Sequence, residues 1–113
     1  MTQITTHVLD TSLGRPAAGV PVILEFHTAA ETWTEAGRGS TDQDGRCKNL
    51  STKDSLQPGT YRLTFDTSAY FSTRKIPGLY PQVIIVFEIK NAHEHYHIPV
   101  LLSPYGYSTY RGS

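Results

Sequence analysis

Apolar and polar residues alternate along almost every stretch of this chain, and turn-forming residues interrupt the alternation throughout. Period two marks a β-strand with one covered face, because successive side chains point to opposite sides of a sheet. Ile4 to Asp10 alternates and is rich in β-branched residues; Leu13-Gly14-Arg15-Pro16 breaks it, and Val20 to His27 is the second strand. Thr32 to Arg38 is a third, ending at Gly39. Thr41-Asp42-Gln43-Asp44-Gly45 is a tight turn whose Asp-Gly pair signals a hairpin, and a short strand follows at Arg46–Leu50. Pro58-Gly59 starts the strand Thr60–Asp66, and Pro77-Gly78 precedes the strand Gln82–Ile89. The latter is apolar at both parities, as in strands covered on both faces. His93–Leu102 and Tyr105–Arg111 complete about eight strands. Only Thr67 to Arg74 lacks the alternation; it follows Asp66, a helix-capping residue type, and predicts one short helix. Many short antiparallel strands with Gly and Pro turns predict an all-β sandwich or barrel.

At 113 residues the chain predicts a single domain, 1–113. Ten basic residues balance ten acidic ones, so neither nucleic acid nor an anionic membrane is an expected partner. The longest apolar run, Val83 to Phe87, is far below the ~20 residues of a spanning helix. A single cysteine, Cys47, excludes an intrachain disulfide and fits a reducing compartment. Met1-Thr2-Gln3-Ile4 runs straight into patterned sequence, without a basic and then apolar leader. The expected location is therefore cytoplasmic, with a peroxisome as the alternative in a eukaryote, and the sequon Asn49-Leu50-Ser51 is expected to be idle.

Parity assigns residues to faces. In His93–Leu102 the even positions Glu94, Tyr96, Ile98, Val100 and Leu102 are largely apolar and should face the core. His93, His95, His97, Pro99 and Leu101 then share the outer face. In the first strand Ile4, Thr6 and Val8 point inward, leaving Thr5, His7 and Leu9 outside. A face that mixes imidazole with Leu and Pro is a poor water-facing surface and a good subunit interface. A site between subunits follows from that.

Taken singly, His7 reads as a packing or surface residue and Arg46 as a solvated charge after a turn. His93, His95 and His97 stand ~6–7 Å apart along one strand face, a workable spacing for metal ligands. Strand-borne metal sites need a further ligand and an ordered surround, so no metal is assigned. Cys47 has no positioned base that would make it a nucleophile. The chain's last four residues, Tyr110-Arg111-Gly112-Ser113, bring a phenol, a guanidinium, a hydroxyl and the carboxylate together directly after a strand. That set suits a polar ligand and places the tail in a site.

Four stretches together resemble the 5-hydroxyisourate hydrolase family, the transthyretin-related proteins of purine breakdown. They are Thr6-His7-Val8-Leu9-Asp10 with Gly14-Arg15-Pro16-Ala17; Thr41 to Arg46; Pro58-Gly59-Thr60-Tyr61 through Phe65-Asp66-Thr67 and Tyr70-Phe71; and His95-Tyr96-His97 through Pro104, closed by Ser108 to Ser113. The resemblance implies a transthyretin-like sandwich of two four-stranded sheets with one short helix. It also implies a homotetramer, a dimer of dimers, whose central channel holds the sites. The family's catalytic residues fall on His7, Arg46, His97 and Ser113, with Tyr110, Arg111 and Gly112 helping to bind substrate. The implied reaction is cofactor-free hydrolysis of 5-hydroxyisourate at its N1–C6 bond, giving 2-oxo-4-hydroxy-4-carboxy-5-ureidoimidazoline. The alternative is a small-molecule carrier: the same sandwich serves transthyretin, which lacks the terminal tetrapeptide.

Overall fold

The computed structural model describes residues 4–50 and 56–113, so Ser51 of the sequon lies outside the described residues. Two sheets face each other across one core. The strands are β1 (Ile4–Asp10), β2 (Arg15–Pro16), β3 (Pro21–His27), β4 (Trp33–Ser40), β5 (Arg46–Cys47), β6 (Gly59–Phe65), β7 (Val83–Ile89), β8 (Tyr96–Ser103) and β9 (Gly106–Thr109); the helix α1 is Thr67–Thr73. The first sheet has the order β2-β1-β8-β9 with β5 also on β1, and the second has the order β4-β3-β6-β7.

The first sheet thus has five strands where four were expected. The reason is local: β2 and β5 are two-residue pieces laid end to end along the same edge of β1. Pro16 and Arg15 pair with Leu9 and Asp10, whereas Cys47 and Arg46 pair with Thr6 and His7. The segment that breaks β1 therefore returns to it, through Gly14 at a φ of 68° that favours glycine. A second departure is orientation. The expected pairing was antiparallel, but β1 and β8 run parallel over seven residues, from Ile4 beside Tyr96 to Asp10 beside Leu102. Alternation is the same in either orientation, so it could not distinguish them.

Parity holds within β1 and at the even positions of β8, but Glu94, also expected to face the core, is exposed before β8, and Pro99 of the outer set is buried. Ile4, Thr6 and Val8 of β1 are buried, as are Tyr96, Ile98, Val100 and Leu102 of β8. They meet Val22, Leu24, Tyr61, Leu63, Phe65, Val83 and Ile85 from the facing sheet. Buried Thr6 meets its hydrogen-bonding requirement by donating to the Ile98 carbonyl at 2.5 Å. The strand β7 is different from expectation. It is the edge of its sheet, and Ile84 and Val86 on its outer side are 41% and 58% exposed in the single chain.

The helix begins as its sequence predicts, with the Asp66 carboxylate accepting from the Ala69 N–H at 2.9 Å. Its buried residues Thr67, Tyr70 and Phe71 lie at i, i+3 and i+4, one helical face. The Tyr70 hydroxyl donates to the fully buried carboxylate of Asp10 at 2.7 Å, tying the helix to the end of β1. Burial opposes charge on Asp10, but bonds from the Ser12 and Tyr70 hydroxyls and the Leu13 and Ser12 N–H groups outweigh it and hold its pKa below the usual value. Burial, and after it the same bond, push the Tyr70 phenol up to about 12.

Candidate active site

The turn 41–45 delivers the guanidinium. The Asp42 carboxylate accepts from the N–H groups of Asp44 and Arg46 at 2.9 and 3.0 Å, closing the turn on itself. Gly45 sits at φ 77°, and a side chain there would collide with the Val8 carbonyl. That close approach lets the Val8 N–H donate to the Gly45 carbonyl at 2.7 Å, pinning the turn against β1. Arg46 is consequently cross-strand from His7. Arg46 is exposed, and its guanidinium has no ion pair or hydrogen bond among the described residues.

The parallel register places Thr5 beside His97 and His7 beside Pro99. His7 and His97 are therefore on adjacent strands of one face, offset by one side-chain repeat, roughly 6–8 Å. Their bonding differs. His7 Nε2 is 2.8 Å from the Asp44 carbonyl oxygen, which only accepts, so this nitrogen carries a proton. His97 presents Nδ1 to the Thr5 hydroxyl at 2.8 Å, and its Nε2 has no hydrogen-bond partner among the described residues. His97 is half-buried, and its pKa is lowered first by burial and then by the positive neighbours Arg46, His95 and His7, against a smaller opposing hydrogen bond at Thr5. A neutral imidazole with a free nitrogen beside an unpaired guanidinium can accept a proton while the cation stabilises a developing oxyanion.

The tail completes the site by continuing the β8–β9 ladder. Thr109 is opposite Val100, and an isolated bridge at the same register joins Gly112 to His97, with the Gly112 N–H donating to the His97 carbonyl at 2.8 Å. A Cβ on Gly112 would lie 2.5 Å from His97 Cδ2 and 3.2 Å from Pro99 Cγ. Glycine is required because the backbone lies directly over the ring. The same cover explains why Pro99, on the outer parity, is buried. Ser113 then lines a cleft of about 260 Å³ with Thr5, Thr6, Arg46, Lys48, His95 and His97. Tyr110 falls on the face of Pro99 by register and is 58% exposed.

Of the residues singled out from sequence, Arg46, His97, Gly112 and Ser113 converge at this cleft, with His7 beside Arg46 and Tyr110 on the same face. Arg111 does not join them. Its guanidinium donates to Glu94 Oε1 at 2.8 Å and to the His95 carbonyl at 3.3 Å, and lies 4.4 Å above the Tyr96 ring. By alternation it points to the core side of β8, where it fastens the tail to the loop before that strand. The histidine stripe is also not formed as drawn: β8 starts at Tyr96, and His93 lies in the preceding turn. Among the described residues no three His, Cys, Asp or Glu side chains group together as a metal site would require. Thr5, Lys48 and His95 were missed as site residues. Parity had placed Thr5 and His95 on the correct face, and Lys48 follows Arg46 by two, the spacing that shares a face.

Comparison with known proteins agrees with this fold. The HIUase/transthyretin family profile matches residues 4–112. A 5-hydroxyisourate hydrolase of Salmonella dublin is 46% identical over 110 residues, 97% of this chain and 80% of its own. The structure of Klebsiella pneumoniae 5-hydroxyisourate hydrolase superposes with a TM-score of 0.87 at 35% identity, covering 100% of both chains. Sea bream transthyretin in complex with thyroxine superposes with a TM-score of 0.92 at 32% identity, covering 97% of this chain and 94% of its own. A conserved sandwich therefore carries two different printed functions, and fold alone does not choose between them. The chain belongs to the HIUase/transthyretin family.

Proposed function

We propose that this chain hydrolyses 5-hydroxyisourate to 2-oxo-4-hydroxy-4-carboxy-5-ureidoimidazoline, a step of urate degradation. The observation that carries the reading is the meeting, at one cleft, of a half-buried neutral imidazole (His97), an unpaired guanidinium (Arg46) and the Ser113 end of the tail. In this reading His97 Nε2 takes a proton from water as the water oxygen bonds to C6. The C6 oxygen becomes an oxyanion held by the Arg46 fork of donors. Collapse breaks the C6–N1 bond, and N1 leaves with the proton that His97 returns. His7 holds the ring through its Nδ1 side, its Nε2 being committed to the Asp44 carbonyl. Tyr110, Gly112 and Ser113 border the substrate. No cofactor enters this sequence of steps.

The working form in this reading is a homotetramer, a dimer of dimers, with its sites between subunits. Its support is an outer face where imidazoles adjoin Leu9, Leu101 and Pro99, and the exposed Ile84 and Val86 on an edge strand. Among the described residues no helix is long and apolar enough to cross a membrane; a cytoplasmic location fits the unpaired, buried Cys47 thiol.

The test is ultraviolet absorbance of freshly generated 5-hydroxyisourate with and without protein, its spontaneous decay subtracted. Acceleration is expected. Binding without acceleration would leave the carrier reading, which the likeness to sea bream transthyretin favours.

A further inference from the structure

One hydroxyl in the cleft has two imidazole partners. Thr5 Oγ1 is 2.8 Å from His97 Nδ1 and 2.8 Å from His95 Nε2. A hydroxyl has one proton to donate, so with both rings neutral it donates to one ring nitrogen and accepts from the other. The ring of His97 is held in place, since the Gly112 backbone lies against its Cδ2 edge and keeps Nδ1 on Thr5. His95, by contrast, is exposed at the loop before β8. A half-buried base is thus wired through one hydroxyl to an imidazole in solvent.

We propose that Thr5 and His95 form a proton relay behind His97, which moves charge out of the cleft when His97 accepts a proton. The proposal rests on the hydrolase reading above. In the resting arrangement His97 Nδ1–H donates to Thr5 Oγ1, and the Thr5 hydroxyl donates to His95 Nε2. When water gives its proton to His97 Nε2, the Nδ1 proton passes to Thr5 Oγ1 as the Thr5 proton passes to His95 Nε2. His97 becomes a neutral Nε2–H imidazole, and the one positive charge now sits on His95. When His97 delivers its Nε2 proton to the departing N1, both relay protons return. No atom or charge is gained or lost over the cycle.

The surroundings favour that transfer. Arg46, His95 and His7 each lower the His97 pKa after burial, Lys48 also lines its cleft, and the acid in that lining is the terminal carboxylate of the exposed Ser113. Glu94, the acid nearest in sequence, is engaged with Arg111 and Asn91. An imidazolium at His97 is therefore held among like charges in a poorly solvated place, whereas one at His95 is solvated. Thr5 and His95 are positioning residues: they act on water only through His97.

Three variants test this by steady-state hydrolysis of 5-hydroxyisourate: Thr5→Val, which keeps the shape and removes the hydroxyl, Thr5→Ser, which restores it, and His95→Gln. Thr5→Val should lower kcat about a hundredfold, the lower end of what a positioned proton acceptor contributes, with KM little changed. Thr5→Ser should recover most of that loss. His95→Gln, on an exposed side chain outside the core, should lower kcat about tenfold, and added imidazole buffer should restore it. Nitrogen NMR of the His97 ring without substrate should find Nδ1–H in the unaltered chain and mixed tautomers in Thr5→Val. Unchanged kcat in Thr5→Val or His95→Gln, a loss seen in KM alone, or Thr5→Ser as slow as Thr5→Val would overturn the relay and leave the hydrolase reading standing. An unaltered chain that fails to accelerate ring opening would overturn both.

Discussion

The outer faces of the two sheets are built by the same alternation, but one holds ion-paired arginines and the other an arginine with no ion pair among the described residues. On the β3–β6 face, Arg62 donates to Glu25 Oε1 at 2.7 Å, and its guanidinium lies 4.2 Å over the Trp33 ring. On the neighbouring β4, Arg38 is likewise paired with Glu35, which lowers the Glu35 pKa and raises that of Arg38. On the β1–β8 face the Arg46 guanidinium has no such ion pair among the described residues, and its charge acts on both the Asp42 carboxylate and the His97 imidazole. A cation neutralised by its own sheet stabilises packing and has little left for a ligand. One left unpaired beside half-buried histidines raises the free energy of the empty site, and a substrate that becomes anionic relieves it. The useful signal is therefore the missing ion pair at Arg46, not the arginine itself.

The largest test of that contrast removes the reactive groups from the first face. His97→Asn should lower kcat at least ~10²-fold, and Arg46→Met about 10²–10³-fold. Size-exclusion chromatography should show the assembly unchanged in both. Near-normal turnover in either would erase the difference between the faces. Next, Gly112→Ala forces a methyl into the His97 ring. A displacement of that size, about 1 Å, is expected to cost up to ~10²-fold in kcat while the melting temperature moves little.

A pH profile sharpens the electrostatic half of the comparison. The His97 pKa is depressed below the ordinary histidine value near 6.5, first by burial, so its basic form persists to lower pH than in an ordinary histidine. The acid limb of kcat/KM should accordingly fall below pH 6.5, and Arg46→Met, by removing one cause of the shift, should move it upward. The stability linkage has the same sign: the unfolded chain binds the His97 proton more readily, so His97's contribution is present above the unfolded pKa and is lost as pH falls through the folded one. An acid limb at or above the ordinary histidine value would contradict the depressed pKa. The smallest effect belongs to the second face. Arg62→Met should leave turnover unchanged and shift unfolding by at most about 1 kcal/mol, measured by denaturant titration.

Much of the strand content was legible because burial of one face requires alternation. The core residues of β1 and β8 and the outward direction of His7 and His97 follow from it. The Asp44-Gly45 turn and the Asp66 cap were legible for another reason: each is closed by its own side chain or backbone, within a few residues. What failed was anything that depended on a neighbour. Arg15-Pro16 looked like a break because its pairing with Leu9 and Asp10 is invisible in the segment itself. Gln82–Ile89 looked doubly covered, yet in the single chain it is an edge. Arg111 looked like a ligand for substrate, and its partner turned out to be Glu94. The role of Arg46 came from family resemblance, since a lone arginine after a turn carries no mark of its partners.

Sequence alone determined which side chains share a face, because a strand's alternation is a property of covalent geometry and one buried surface. It also set the turns that present Arg46 and the glycine over which no side chain could fit beside His97. Only the tertiary structure decided that β1 and β8 lie parallel, that Arg46 stands across from His7, and that Thr5 touches two histidines some 90 residues away. Those outcomes depend on register between distant segments, and register is settled by packing and hydrogen bonding of the whole sandwich, which no local pattern encodes.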